Sequence, residues 1–140
     1  MDYSMIGPAL VLSLACTGSA IGCGIAGMAS HGVMSRTDTG HGPFIAMSAM
    51  PSSQSIYGLV LMLLMLPKLA EKQLDPVNGI GIGLCVGIAL LVSAIYQGKC
   101  AATGIQAAAK QPKIIGKCFV ALGIVESFSL FAFVFGLMLI

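Results

Sequence analysis

Apolar residues fill four stretches of the chain, roughly 4–29, 43–66, 77–109 and 114–140, and most charged residues lie in the short gaps between them. A helix needs about 20 apolar residues to cross a bilayer, so each stretch predicts one membrane-spanning helix. Little is left for a domain outside the membrane. Composition points the same way. Of 140 residues, 57% are hydrophobic and only 9% charged, against about 25% charged in a soluble domain; mean hydropathy is +0.97. The first stretch follows MDYSM, which has no basic character, and it exceeds a signal-peptide core in length. It reads as a retained transmembrane helix.

The pattern also repeats. A shift of 74 residues lays residues 1–66 on 75–140 without a gap. Ile6, Gly7 and Leu10 fall on Ile80, Gly81 and Leu84, and Ser19-Ala20-Ile21 falls on Ser93-Ala94-Ile95. Gly24 meets Gly98, Arg36 meets Lys110, and Ser53, Ser55 and Tyr57 meet Ser127, Ser129 and Phe131. One shift serving both helices of each copy indicates duplication. The expected fold is therefore an all-α membrane protein of two tandem hairpins in parallel orientation, 1–66 and 75–140, joined by residues 67–74. The copies differ at one telling place: Glu126 falls on Ser52, so only the second hairpin carries a carboxylate.

The odd-numbered helices are rich in glycine, with Gly18, Gly22, Gly24 and Gly27 in the first and Gly79, Gly81, Gly83 and Gly87 in the third. The even-numbered ones carry bulk, as in LVLMLLML (59–66) and FSLFAFVFGLML (128–139). Small residues let helix backbones approach closely in a membrane. Helices 1 and 3 are expected to form a tight layer, with 2 and 4 outside it facing lipid.

Net charge is +2, too small to suggest a nucleic-acid partner. Its distribution is more informative. Arg36 lies in the 30–42 connection, Lys110 and Lys113 in the 110–113 connection with Lys117 beyond, and Lys68 and Lys72 in the 67–76 connection. Counting Lys and Arg alone makes 30–42 and 110–113 cytoplasmic and places both termini outside. The five cysteines fall within the spans without C-x-x-C spacing, as small buried apolar residues do.

Between Lys117 and Ile140 the only charge is Glu126. An acid at the centre of a membrane helix costs roughly 2.5–3.5 kcal/mol, so its presence needs a function. Polar partners stand at the same depth. MPSSQSIY (50–57) sets Met50, Ser53, Gln54 and Tyr57 on one helical face, and Pro51 loosens that turn. Gln54 lies 12 residues past Gly42, Gln97 lies 13 before Lys110, and Glu126 lies 13 after Lys113. At 1.5 Å per residue each is ~18–20 Å from its loop. A carboxylate, two amide oxygens and a hydroxyl form a hard-donor set suited to a hard cation. A single negative charge is neutralised by a monovalent ion, whereas a divalent one leaves excess charge in hydrocarbon. His31 and His41 are expected in the cytoplasmic connection, away from this plane.

At these residues the chain resembles the membrane rotor protein (the proteolipid) of V-type and A-type rotary ATPases. The similarity spans the whole chain. MPSSQSIYG (50–58) is similar to the L-P-G-T-Q-G-L-Y-G stretch of the sodium-translocating branch, YQGK (96–99) to its helix-3 glutamine motif, and VES (125–127) to its V-E-T. Carried over by position, the resemblance implies sodium ligands at the Met50 carbonyl, Ser53, Gln54, Gln97 and Glu126, with Tyr57 locking the glutamate. Ser53 for Thr and Met50 for Leu keep the donor atoms; Ser52 stands where the family has Gly. The resemblance further implies a homo-oligomeric, two-layered ring turning against a stator subunit that bears an arginine. Central-stalk subunits would contact the cytoplasmic loops 30–42 and 110–113. The setting it implies is a bacterial or archaeal plasma (inner) membrane, and the subunit itself does no covalent chemistry.

The alternative within the same complex is a proton-translocating rotor, which needs the carboxyl but has no use for Gln54 and Gln97. A small four-helix multidrug transporter also carries one membrane glutamate. In that class it lies in the first helix and works with Trp and Tyr, whereas here it lies in the last helix of a chain without Trp. A purely structural scaffold gives no reason for Glu126 opposite two glutamines.

Overall fold

The computed structural model describes residues 3–140, with four long helices and no strand among them. They are α1 (Ile6–Met34), α2 (Gly42–Ala70), α3 (Pro76–Lys110) and α4 (Pro112–Met138), all long and apolar enough to cross a membrane. The helices overrun the expected spans. α1 continues through Ser30 and His31 to Met34, so His31 lies in a last helical turn rather than in a connection. α2 passes through Pro67 to Ala70, and only Gln111 separates α3 from α4. The added turns continue the i to i−4 pairing of the spans, and nothing in their residues other than Pro67 opposes it. α3 starts sharply, because the Asp75 carboxylate accepts from the Val77 and Asn78 amides at 3.0 and 3.3 Å and Pro76 occupies the first turn.

α1 and α3 lie side by side and run in the same direction. A Cβ added to Gly7 would strike the Gly79 carbonyl, one on Gly83 the Gly7 carbonyl, and one on Gly98 the backbone of Gly22. Gly18 meets the backbone of Leu91 in the same way. These pairs are offset by about the repeat length, so the seam joins the two hairpins at matching levels, though through different faces of the two helices. Only glycine permits backbones this close.

The tight layer of α1 and α3 expected from their glycine content is present, but not every glycine contributes to it within the chain. Gly24, Gly27 and Gly81 have nothing within 4 Å and lie off the seam, whereas Gly7 and Gly98 lie on it. Composition marks a helix as close-packing; the rotation about its axis decides which glycines do the packing.

α3 is the centre of the bundle. It holds α1 along one side and α4 on another, and α2 packs against both α1 and α3. α4 is the most peripheral helix, with Phe128 66% and Phe135 63% exposed. α2 also turns large side chains outward, including Ile56 and Leu63. Two apolar clusters fill the interior. One, around Val11, Leu61, Met65, Val86 and Leu90, lies toward the α2–α3 connection. The other, around Phe44, Met47, Ile105 and Leu122, lies toward Arg36 and Lys110. The polar residues sit between them.

Candidate functional site: a carboxylate and two amides where three helices meet

Pro51 shapes α2 locally. It lacks an amide proton and cannot join an α-helical ladder, and the chain runs through a 3-10 turn at Met50–Ser52. The buried Pro51 ring fits against Gly22, where a Cβ would come within 2.8 Å of its own. Just beyond, the Ser55 amide donates to Ser19 Oγ on α1 at 3.1 Å. In the second hairpin the equivalent serine, Ser93, donates to the Val125 carbonyl on α4 at 3.1 Å. Each hairpin is thus tied at the level of the site.

The structure brings Gln54, Tyr57, Gln97 and Glu126 together. Gln54 and Gln97 are fully buried, with 0% exposure, while Glu126 is half-buried. Both carboxylate oxygens accept hydrogen bonds. Tyr57 Oη donates to Oε1 at 2.9 Å and Gln97 Nε2 donates to Oε2 at 3.3 Å. Gln97 Nε2 also donates to the Leu122 carbonyl at 3.2 Å, so both amide protons are used. Gln54 Nε2 donates to Gln97 Oε1 at 3.0 Å and to Ser129 Oγ at 3.2 Å. Ser53 Oγ lies 3.1 Å from the Met50 carbonyl and 3.3 Å from Gln54 Oε1. Three neutral oxygens, from Met50, Ser53 and Gln54, therefore lie in one turn of α2.

In this arrangement Gln97 presents nitrogen to Glu126 and gives its oxygen to Gln54. Turning the Gln97 amide over exchanges the two ends. A buried polar network is stable only if every member is paired, and this one is closed. Among the described residues no group of three or more His, Cys, Asp and Glu could hold a metal ion, and the five cysteines are free thiols. The donors at this depth are oxygens, as hard cations require.

Two further residues within the spans are not among the predicted site residues. Ser129 is fully buried and bonded within the site, but serine in a membrane helix usually bonds its own backbone and gives no signal. Lys99 enters the sequence pattern only as the end of YQGK. It is exposed, and its Nζ stands 4.8 Å over the Tyr96 ring. It precedes Lys110 by 11 residues, about 16 Å along the helix. A signal for it is present: a cation inside an apolar span carries the same cost as an acid.

The model of the ATP synthase subunit-C family matches residues 6–65 and again residues 80–139. The chain belongs to the ATP synthase subunit-C family. Its two matches are separated by 74 residues, the shift found in the sequence. An A-type ATP synthase subunit K of Methanocaldococcus jannaschii is 32% identical over 135 residues, covering 96% of this chain and 60% of that relative. A V-type sodium ATPase subunit K of Enterococcus hirae is 28% identical over 142 residues, covering 100% of this chain and 91% of that relative. The chain thus spans about three-fifths of one of these relatives and most of the other. As a member of this family with four membrane helices, it is an integral membrane protein.

Proposed function

We propose that this chain is the ion-translocating rotor-ring subunit of a V/A-type ATPase or ATP synthase, carrying one Na⁺ per protomer at Glu126. The observation that carries the reading is the convergence of the Gln54 and Gln97 amides with Glu126 from three helices. A proton needs only the carboxyl. Two buried amides at bilayer depth have value as neutral oxygen donors to a cation. Both Glu126 oxygens lie within hydrogen-bond distance of a neighbour, Tyr57 Oη on one side and Gln97 Nε2 on the other, so the carboxylate is held where the neutral donors converge.

In this function the Met50 carbonyl, Ser53 Oγ, Gln54 Oε1 and the Glu126 carboxylate receive the ion. Gln97 Oε1 joins them once its amide turns over. Tyr57 bridges α2 and α4 at the carboxylate and closes the site. Copies of the chain form the ring, and a stator arginine draws the ion from Glu126 as each protomer passes. The α1–α2 and α3–α4 connections, with Arg36, Lys110, Lys113 and Lys117, face the cytoplasm and the central stalk. The chain does no covalent chemistry; ATP is made or hydrolysed in the soluble head. The names of both relatives, one of them a sodium ATPase subunit, support this reading.

Carbodiimide labelling tests it, because the reagent attacks a protonated carboxyl. Glu126 is the expected site of modification in membranes carrying the chain, and sodium should protect it near neutral pH. Labelling indifferent to sodium moves the assignment to a proton-translocating rotor.

A further inference from the structure

The repeat supplies an internal comparison for Ser129. Its equivalent in the first hairpin is Ser55, and the two hydroxyls make the same local bond. Ser55 Oγ donates to the Ser52 carbonyl at 2.7 Å, and Ser129 Oγ donates to the Glu126 carbonyl at 2.6 Å. Such a bond to the preceding turn is ordinary for serine in a helix. Only Ser129 has a second partner, since it also accepts from Gln54 Nε2 at 3.2 Å. Ser129 is fully buried, whereas Ser55 is half-buried.

The direction of these bonds has a chemical consequence. A hydroxyl carries one proton, and that of Ser129 is committed to the Glu126 carbonyl. What it offers Gln54 is a lone pair. A lone pair takes the amide nitrogen and repels the amide oxygen, so Gln54 stands with Nε2 toward α4 and Oε1 toward Ser53 and the Met50 carbonyl. Gln97 Oε1 enforces the same orientation. Once Gln97 gives that oxygen to a cation, however, it no longer accepts from Gln54. Ser129 is then the acceptor that remains.

We propose that Ser129 is a positioning residue of the ion site, holding the Gln54 amide with its oxygen toward the cation and so setting sodium affinity. This rests on the sodium reading of the site and adds to it a residue that touches no ion. Ser129 also joins the ligand on α2 to the backbone at Glu126 on α4. The neutral and the charged donors are therefore kept in register by one hydroxyl.

The test is the sodium dependence of carbodiimide labelling at Glu126 in membranes carrying the full chain, compared across wild type, Ser129→Ala and Ser55→Ala. In Ser129→Ala the sodium concentration giving half-protection should rise roughly fivefold to tenfold, the effect expected from losing one buried hydrogen bond. The labelling rate without sodium and the protection at saturating sodium should match wild type, which a damaged fold would not allow. Ser55→Ala loses the equivalent local bond and should keep the wild-type sodium dependence. If Ser129→Ala does not accumulate, Ser129→Cys serves the same comparison, because a thiol is a weak acceptor. Unchanged half-protection in the Ser129 variant, or an equal loss in Ser55→Ala, overturns the positioning role and leaves the sodium reading standing. A wild-type protein indifferent to sodium overturns both.

Discussion

Tyr57 is bound to α4 at two points, seven residues apart. Its hydroxyl donates to Glu126 Oε1 at 2.9 Å, and its ring stacks on Phe133 with centroids 5.4 Å apart and planes inclined by 23°. The ring contact fixes where the hydroxyl points, so the hydrogen bond costs little additional ordering. Tyr57→Phe removes the hydroxyl and leaves the stack. A hydrogen bond to a charged group contributes about 1.5–3 kcal/mol, so sodium protection of Glu126 should weaken by roughly tenfold or more while the protein still accumulates. Labelling curves identical to wild type would show that Tyr57 does not close the site.

Glu126→Gln keeps the volume and much of the hydrogen bonding but removes the charge. The variant should assemble, yet lose sodium transport and sodium-coupled ATP turnover, because neither a cation nor a stator arginine has its counter-charge. Sodium uptake into vesicles at the wild-type rate would exclude the role given to Glu126.

Gln54→Leu/Gln97→Leu separates the cation from the proton. Two neutral oxygens are lost and the carboxylate stays, so a sodium ion would be under-coordinated in a low-dielectric site. Labelling of Glu126 should persist and its sodium dependence should disappear. Retained sodium affinity would contradict the proposed set of ligands.

The seam between α1 and α3 predicts a sharp contrast among glycines. At Gly98 a Cβ meets the Gly22 backbone, which cannot move aside as a side chain can, so Gly98→Ala should cost at least 1–3 kcal/mol as overpacking. Gly24→Ala meets no atom of its own chain within 4 Å, so within one protomer it adds no clash and should be neutral or stabilising by up to about 1 kcal/mol. Thermal unfolding of the two purified variants in detergent decides between them. Equal midpoints would mean that the backbones separate at little cost.

The four helices and the membrane glutamate are legible in the sequence because a bilayer makes polarity conspicuous. Gln54, Gln97 and Glu126 stand out in apolar spans, and counting residues places them at one depth, where the structure joins them. Pro51 announces the irregular turn at Met50–Ser52 because its missing donor is a covalent fact. Ser129 is not legible. Its bond to the Glu126 carbonyl is the bond any helical serine makes, and its bond to Gln54 depends on how α2 and α4 are rotated. Rotation also separates Gly98, on the seam, from Gly24, off it. The glycine count of a helix is the same for either, so sequence identifies the close-packing pair but not the line of contact. Helix ends differ from expectation for another reason: Ser30, His31 and Pro67 look like connection residues, yet nothing forces the helix to stop before them.

The glycine seam bears on how the molecule transmits force. Where side chains interlock, neighbouring helices can yield by changing rotamers. At Gly7 with Gly79 and Gly83, and at Gly22 with Gly98, backbone rests on backbone, and no rotamer is available to yield. The joint between the two hairpins therefore has little mechanical compliance. Gln54 on α2 and Glu126 on α4 belong to different hairpins and meet this joint through the side-chain packing of α2 on α1 and of α4 on α3. The close joint is thus the frame on which the two helices carrying the site are mounted.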